Sequence, residues 1–574
     1  MSQGENEVDS FHIDTKKHTL HVGPIDINTS LTSLTTAGVS LDNILRKCGD
    51  FGRFQILHYV FLSIMTMNGS ITSFYYVFGA AKPEHRCRLP TNVWPHDTHY
   101  SPLNQTHETF INQYIPKNND GKQWEKCVRY VTSNRSGSLV NCPDGWAYDQ
   151  SIFGYTFTEE ADFVCQNESK RSWLATAVQC GGFSLLIIGS LADRYGRKKM
   201  ISIVTFLLFF ACLITLIIMQ WIPMTIKTKF IVLLLNQFTS GLVFSIYSLV
   251  FILVLELTSA AHTGLAGNLI FVASTMGQIF AALFAFMTRD WQKLKWANTS
   301  FIGLGIPYLY FMPESPLYTY AKRQYIPLEA ILRRIATQNG RKEIDWYPCY
   351  QELLRNQPIK LAQKNELTYS QKSYRLFFRR ATIIKLLLAA MIGFTTLMIY
   401  IKISFSLAML NISPHLGIFI GAVVEAISCL ISSVLISSRL GRKGSFILTM
   451  SLTIISLLLI PTIVKYSSIT SVGLAQFGKF TISSATAIAW IFVPELFPTS
   501  IRSTANAVFI AFSRIGAIVA PILNTAISKT YAPYIFYGSA LIAFVVVLFS
   551  LMLPETKDKP MDDVTDYTES MADI

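Results

Sequence analysis

Charge is what this sequence has least of. Only 15% of its 574 residues are Asp, Glu, Lys or Arg, against about 25% in soluble globular chains. That scarcity excludes a soluble protein of this length. Signs of catalysis are also missing. There is no G-x-S-x-G elbow, and HETFI (107–111) lacks the second His of a zinc-protease helix. GLAQFGKF (473–480) approaches a phosphate-binding loop, but Phe480 stands where a hydroxyl would hold magnesium and no strand precedes it. No enzyme activity, cofactor or metal site is expected. The first 53 residues lack the basic start and apolar run of a cleavable signal peptide. They are polar, rich in Ser and Thr, and expected in the cytoplasm.

Apolar blocks take the place of charge. The chain is 51% hydrophobic, with a mean hydropathy of +0.36. Runs such as MISIVTFLLFFACLITLIIMQW (200–221) and FYGSALIAFVVVLFSLML (536–553) are long enough to cross a bilayer. The net charge of +13 collects in short loops: DRYGRKK (193–199), Arg379-Arg380 and RLGRK (439–443). Such clusters mark cytoplasmic loops, so the partner is the lipid bilayer and not nucleic acid. The pattern predicts an all-α polytopic membrane protein with twelve spans, near 54–80, 172–191, 200–221, 229–254, 265–288, 296–312, 383–405, 415–436, 444–464, 470–492, 503–526 and 533–553. The spans at 172–191 and 296–312 are short. Even parity puts both termini in the cytoplasm.

The organisation read from this is a segment 1–53, six spans over 54–312, a cytoplasmic linker 313–382, six spans over 383–553 and a tail 554–574. The linker holds LEAILRRIATQNGRKEI (328–344), apolar at helical spacing with bases between, which predicts short surface helices. Residues 82–171 form an outside loop with Cys87, Cys127, Cys142 and Cys165. Four cysteines in an exported loop favour two disulfides, with three pairings open. The sequons at Asn104, Asn134 and Asn167 lie in the same loop and are candidate glycan acceptors.

The chain repeats itself. DRYGRK (193–198) recurs as SRLGRK (438–443), and ELTSAAHTGLAGN (256–268) echoes ELFPTSIRSTANA (495–507). The offsets, 245 and 239 residues, are nearly equal. Two six-helix halves in parallel, with a site at the midplane between them, account for this. A Gly turn with basic residues can pair with an acid on a neighbouring helix when the cytoplasmic side is shut. The candidates for this gate are Asp193, Arg194, Arg197 and Glu256 in the first half, and Arg439, Arg442, Glu495 and Arg502 in the second.

GSLADRYGRKK, MPESPLY (312–318), PELFPTSIR (494–502), SRIGAIVAP (513–521) and LPETKDKP (553–560) resemble the signature series of solute carrier family 22. These are the organic cation, anion and carnitine transporters of the major facilitator superfamily. The outer loop ending CPDGWAYDQSIF…FVC matches too. The resemblance covers about residues 48 to 560. It implies a major facilitator fold of two pseudo-symmetric bundles at the plasma membrane. It also implies alternating-access transport of a small organic ion, with a co-transported or exchanged ion left open. The chain departs from the family at Gln237 and Gly264, where an Arg is usual, at Ser438 in place of an acid, and at Ala426-Ile427-Ser428, where a Pro-Ala step is usual.

Interior charges nominate the substrate site. IFIGAVVEAISCLISSVLI (418–436) carries Glu425 in mid-span, and Lys402, Lys479 and Arg514 join it, all in the second half. Such residues normally face a wet cavity or one another. By resemblance, a Glu at the position of Glu425 belongs to the cation and carnitine branches. An Arg at the position of Arg514 belongs to the anion and carnitine branches. Having both is most like the carnitine branch and implies a zwitterionic or cationic amine such as carnitine, a zwitterion's carboxylate lying on Arg514 and its ammonium on Glu425. Tyr400, Trp490 and Phe74, with Tyr75 and Tyr76 beside it, are the aromatic candidates for the ammonium. Against this stand a bland pairing of Glu425 with Lys479 or Lys402, an organic anion carrier dominated by Arg514, and a non-transporting sensor or adhesion protein.

Overall fold

The computed structural model describes residues 41–118, 123–132, 138–259, 262–355, 379–407, 413–463, 468–497, 499–526 and 532–557. Twelve spans appear. The first is Arg53–Gly79. The second is Glu168–Gly181 continued by Ser184–Tyr195, and the third is Arg197–Trp221. The fourth is Ile226–Ser240 continued by Val243–Leu257, the fifth is Thr263–Thr288, and the sixth is Trp291–Leu304 continued by Ile306–Phe311. The seventh to twelfth are Arg380–Leu407, Pro414–Ser437, Gly441–Ile463, Ser468–Glu495, Thr499–Ala526 and Ala532–Ser550. Nine helices among the described residues are long and apolar enough to cross a membrane by themselves. The first span falls short because it buries Gln55, His58, Asn68 and several hydroxyls within the protein.

Two spans differ from the sequence expectation. The second is not short: the helical stretch runs Cys165–Tyr195, 31 residues. Its first turn is polar (Glu168 to Arg171), so hydropathy places the start too late. The sixth begins at Trp291 and not at 296. Asp290 caps it by accepting from the N–H groups of Gln292 (2.8 Å) and Lys293 (2.9 Å). This earlier start brings Lys295 inside, 3% exposed. Buried charge is therefore not confined to the second half.

Each half has its own apolar core. Ile201, Leu208, Val250, Leu253 and Ile302 lie in the first, and Ile399, Phe446, Met450, Ile488 and Phe509 in the second. The halves meet where the fifth span packs on the eighth and Glu168–Gly181 packs on the eleventh. At the end bearing the long loop, His415 of the eighth span stacks on Phe78 at 4.9 Å and meets Phe286 edge-on at 5.9 Å. Its Nε2 lies 3.2 Å from the carbonyl of Ile152 in the loop. The linker helices Tyr325–Gln338 and Glu343–Arg355 belong with the first half, since Leu328, Leu332, Ile335 and Trp346 extend its core.

The long loop is a small unit stapled by Cys87–Cys142 and Cys127–Cys165. His85–Cys87 pairs antiparallel with Trp146–Tyr148, and Val128–Tyr130 with Leu139–Asn141. Asn104 is exposed and caps Gln105–Tyr114 by accepting from the His107 N–H at 2.8 Å. Asn167 is half-buried at the start of the second span. Asn134 lies outside the described residues.

At the loop's centre Arg86 holds Asp97 by two bonds of 2.6 and 2.7 Å, both side chains almost wholly buried. Burial alone would raise the Asp97 carboxyl. The Arg86 guanidinium and the Leu89 N–H outweigh burial and hold it below its ordinary range. A carboxyl depressed by folding stabilises the loop above the unfolded pKa of about 3.9 and loses that contribution as pH falls. Arg86→Ala leaves the buried carboxylate with the Leu89 N–H and with His107 at 3.2 Å but without its guanidinium, so it should cost about 3–5 kcal/mol. Limited proteolysis of the loop at neutral pH should show it, and the gap from wild type should narrow in acid.

Candidate functional site

The eighth span places Glu425 8% exposed between the halves. Lys479 of the tenth span reaches it at 2.8 Å. Tyr400 of the seventh donates its hydroxyl to the same carboxylate at 2.9 Å, and Gln278 of the fifth donates from the other half, also at 2.9 Å. The Lys479 ammonium also bonds Ser404 at 2.6 Å and sits 3.9 Å from the centre of the Tyr400 ring. The carboxylate therefore carries a cation, a phenol and an amide at once. A mid-membrane charge costs about 2.5–3.5 kcal/mol on insertion scales, and this set offsets it. The sequence reading offered that place either to a substrate ammonium or to a pairing with Lys479 or Lys402; the structure holds the Lys479 pairing.

Arg514 of the eleventh span is placed differently. It is 7% exposed. Its guanidinium lies 3.8 Å from the centre of the Phe244 ring and 3.4 Å from Gln179 Oε1, and its Nε has no hydrogen-bond partner among the described residues. Both neighbours are in the first half, so Arg514 bridges the halves with no carboxylate beside it among the described residues. Tyr247 of the fourth span lies within electrostatic range of both Arg514 and Glu425. Trp490 packs at 6.2 Å from Phe251, 6.4 Å from Phe271 and 5.7 Å from Phe509, where the two halves meet. Phe74 is buried in an apolar cluster with Tyr75, Phe78 and Ile418, and the structure does not bring it to Glu425. Tyr75 instead lies under Lys295 Nζ at 4.3 Å, and Tyr76 under Arg171. Lys402 sits 4.1 Å from the Phe536 ring and 3.3 Å from Ser539.

At the linker end the two halves repeat one charge network. Arg197 pairs with Glu256 at 3.1 Å and Asp193 at 3.0 Å; Arg442 pairs with Glu495 at 3.3 Å. Arg194 is exposed and lies over Tyr195. Arg439 is exposed, without an ion pair among the described residues. The side chain of Arg502 lies outside the described residues. Each pair spans helices of its own half, so the network braces a bundle.

The sequence reading missed the keystones, Glu314 and Glu555. Glu314 accepts from the N–H groups of Arg197 (2.9 Å) and Lys198 (3.1 Å), and Glu555 from those of Arg442 (2.8 Å) and Lys443 (3.1 Å). The signal was present: MPES and LPET repeat at an offset of 241 residues, Glu314 to Glu555. The glycines beside them are required. Gly196 has φ +104° and Gly441 +68°, and a Cβ at either would come within 2.5–2.6 Å of the carboxylate. Gly196→Ala and Gly441→Ala should each cost about 1–3 kcal/mol, read from the unfolding midpoint of purified protein. Burial would raise the Glu555 carboxyl, but its backbone donors hold it below the usual range. Its contribution is therefore present at neutral pH and fades on acidification.

The profile of the sugar (and other) transporter family matches residues 109–567. The chain belongs to that family. Among its curated relatives, solute carrier family 22 member 4 of Mus musculus is 26% identical over 90% of this chain and 92% of its own. Solute carrier family 22 member 6-A of Xenopus laevis is 26% identical over 92% and 94%. Organic anion transporter 3 of Oryctolagus cuniculus is 25% identical over 93% and 94%. The likeness to solute carrier family 22 read from the motifs therefore stands. Among solved structures, the inward open xylose transporter XylE from E. coli aligns with a TM-score of 0.55 and 13% identity, over 89% of this chain and 99% of that one. This transporter thus has the twelve-helix major facilitator fold, and its family consists of membrane transporters, not enzymes.

Proposed function

We propose that this transporter carries small organic anions across the plasma membrane by alternating access, with both termini cytoplasmic. One observation carries the reading. The span interiors hold one acid, Glu425, against Lys295, Lys402, Lys479 and Arg514, and that acid is already matched by Lys479. The charge left facing the opposite half is the guanidinium of Arg514. Its two-pronged face suits a carboxylate or sulfate, and Phe244, Trp490 and Phe251 supply apolar surface for the rest of the ligand. The name organic anion transporter 3, borne by one relative, agrees. In this reading the paired networks around Arg197 and Arg442 hold each bundle together at the linker end while the halves rock against each other.

A second reading keeps the zwitterion. Lys479 shows that an ammonium fits between Glu425 and the Tyr400 ring, and a substrate ammonium that displaced it would be held the same way. Uptake of labelled p-aminohippurate, carnitine and tetraethylammonium by expressing cells separates the readings. Uptake of p-aminohippurate alone is expected. Carnitine uptake without p-aminohippurate would replace the anion reading with the zwitterion. No uptake at intact surface expression would leave the sensor.

A further inference from the structure

We propose that a second site, at the linker end of the first half, binds the phosphate-bearing headgroup of a membrane lipid. A cavity of about 410 Å³ lies there between the linker helix Tyr325–Gln338 and the ends of the first, third and sixth spans. That is within the roughly 300–1,000 Å³ typical of small-molecule sites. Phe54, Met312 and Ile331 line its apolar part, and Lys198, Arg334 and Glu314 its charged part.

The charges do not cancel. Glu314 is committed, its Oε1 accepting from the N–H groups of Arg197, Lys198 and Ser315. Among the described residues, Lys198 Nζ meets only the carbonyl of Tyr310, at 3.2 Å. Arg334 lies 5.9 Å from the Phe54 ring and meets no carboxylate among the described residues. Its neighbour Arg333, by contrast, pairs with Glu329 at 3.1 Å and Glu343 at 3.0 Å. A guanidinium fork and a point cation in one apolar-walled hole suit a phosphate.

The surroundings choose the source. The cavity sits at the ends of three spans, the depth of lipid headgroups. Beside it Tyr310 is 83% exposed, Phe311 59% and Ile326 86%. Such side chains at span ends lie in the headgroup and acyl boundary. A lipid satisfies both parts, phosphate inside and chains along this apolar rim; a soluble phosphate ester satisfies only the first.

The test uses the purified full chain in phosphatidylcholine nanodiscs. The probes are short-chain phosphatidylinositol 4-phosphate and the soluble inositol phosphate with no acyl chains, and binding is read by native mass spectrometry and by the unfolding midpoint. Wild type should bind the lipid and raise its midpoint. Arg334→Gln and Lys198→Gln should each weaken binding by about tenfold or more, the loss of one charge-assisted contact. Arg334 is solvent-facing, so Arg334→Gln should fold and carry the test if Lys198→Gln does not. Equal binding of the soluble headgroup would overturn the lipid assignment. Unchanged binding in Arg334→Gln, or no lipid binding by wild type, would overturn the site.

Discussion

Arg514→Ala should lower uptake of organic anions by about 10–100-fold, the cost of one charge-assisted pair, while the protein still reaches the cell surface. The two halves of that expectation share one cause. No carboxylate depends on Arg514 among the described residues; its neighbours are Phe244 and Gln179. Removing it strands no buried opposite charge and leaves the fold intact. What is lost is the cation that a substrate anion would meet. Arg514→Lys keeps the charge but not the fork, so it should recover part of the uptake with a raised KM. Kinetics at matched surface expression measure this. Uptake unchanged in Arg514→Ala would remove the guanidinium from the substrate path and with it the anion reading.

Lys479→Met should do the reverse, harming the fold before the transport. Glu425 would remain 8% exposed with two neutral donors, Tyr400 and Gln278, and no cation. Breaking a buried pair from one side costs about 3–5 kcal/mol, so surface expression and the unfolding midpoint should drop. Glu425→Gln combined with Lys479→Met leaves no orphan charge and should recover most of that loss. Whatever Lys479→Met protein does reach the membrane presents a carboxylate and an aromatic face without their resident ammonium. Saturating tetraethylammonium should then raise its midpoint, as a ligand of the native state does. If Lys479→Met folds like wild type while Glu425→Gln alone abolishes uptake, the carboxylate belongs to the substrate after all.

Much of this was legible along the chain. Apolar runs, basic loops and a repeat at near-constant offset are local properties, and they gave twelve spans in two halves. Span edges were less legible, because a polar turn at headgroup depth looks like loop to any hydropathy window. Glu168 to Arg171 and Gln292 to Lys293 were lost that way, and Lys295 behind them was lost too. Glu425 and Arg514 stood out because a charge amid apolar residues is conspicuous in sequence. Gln278, Gln179 and Phe244 did not, since each is ordinary in a span and matters only through what lies across the interface. Glu314 and Glu555 were quoted inside motifs without a role, because their partners are backbone N–H groups, which every sequence has and none displays.

Sequence by itself determined the solvent and the number of crossings, and its repeated motifs carried the duplication and the resemblance to a carrier family. The first two depend on the cost of moving side chains and backbone from water into lipid, a sum over short stretches. Only the tertiary structure decided which interior charges cancel. Coulomb energy depends on a few ångströms between helices far apart in the chain, and four cations around one acid admit several pairings. Folding chose Lys479 for Glu425 at 2.8 Å and left Arg514 facing the other half, and the proposed anion reading rests on that choice.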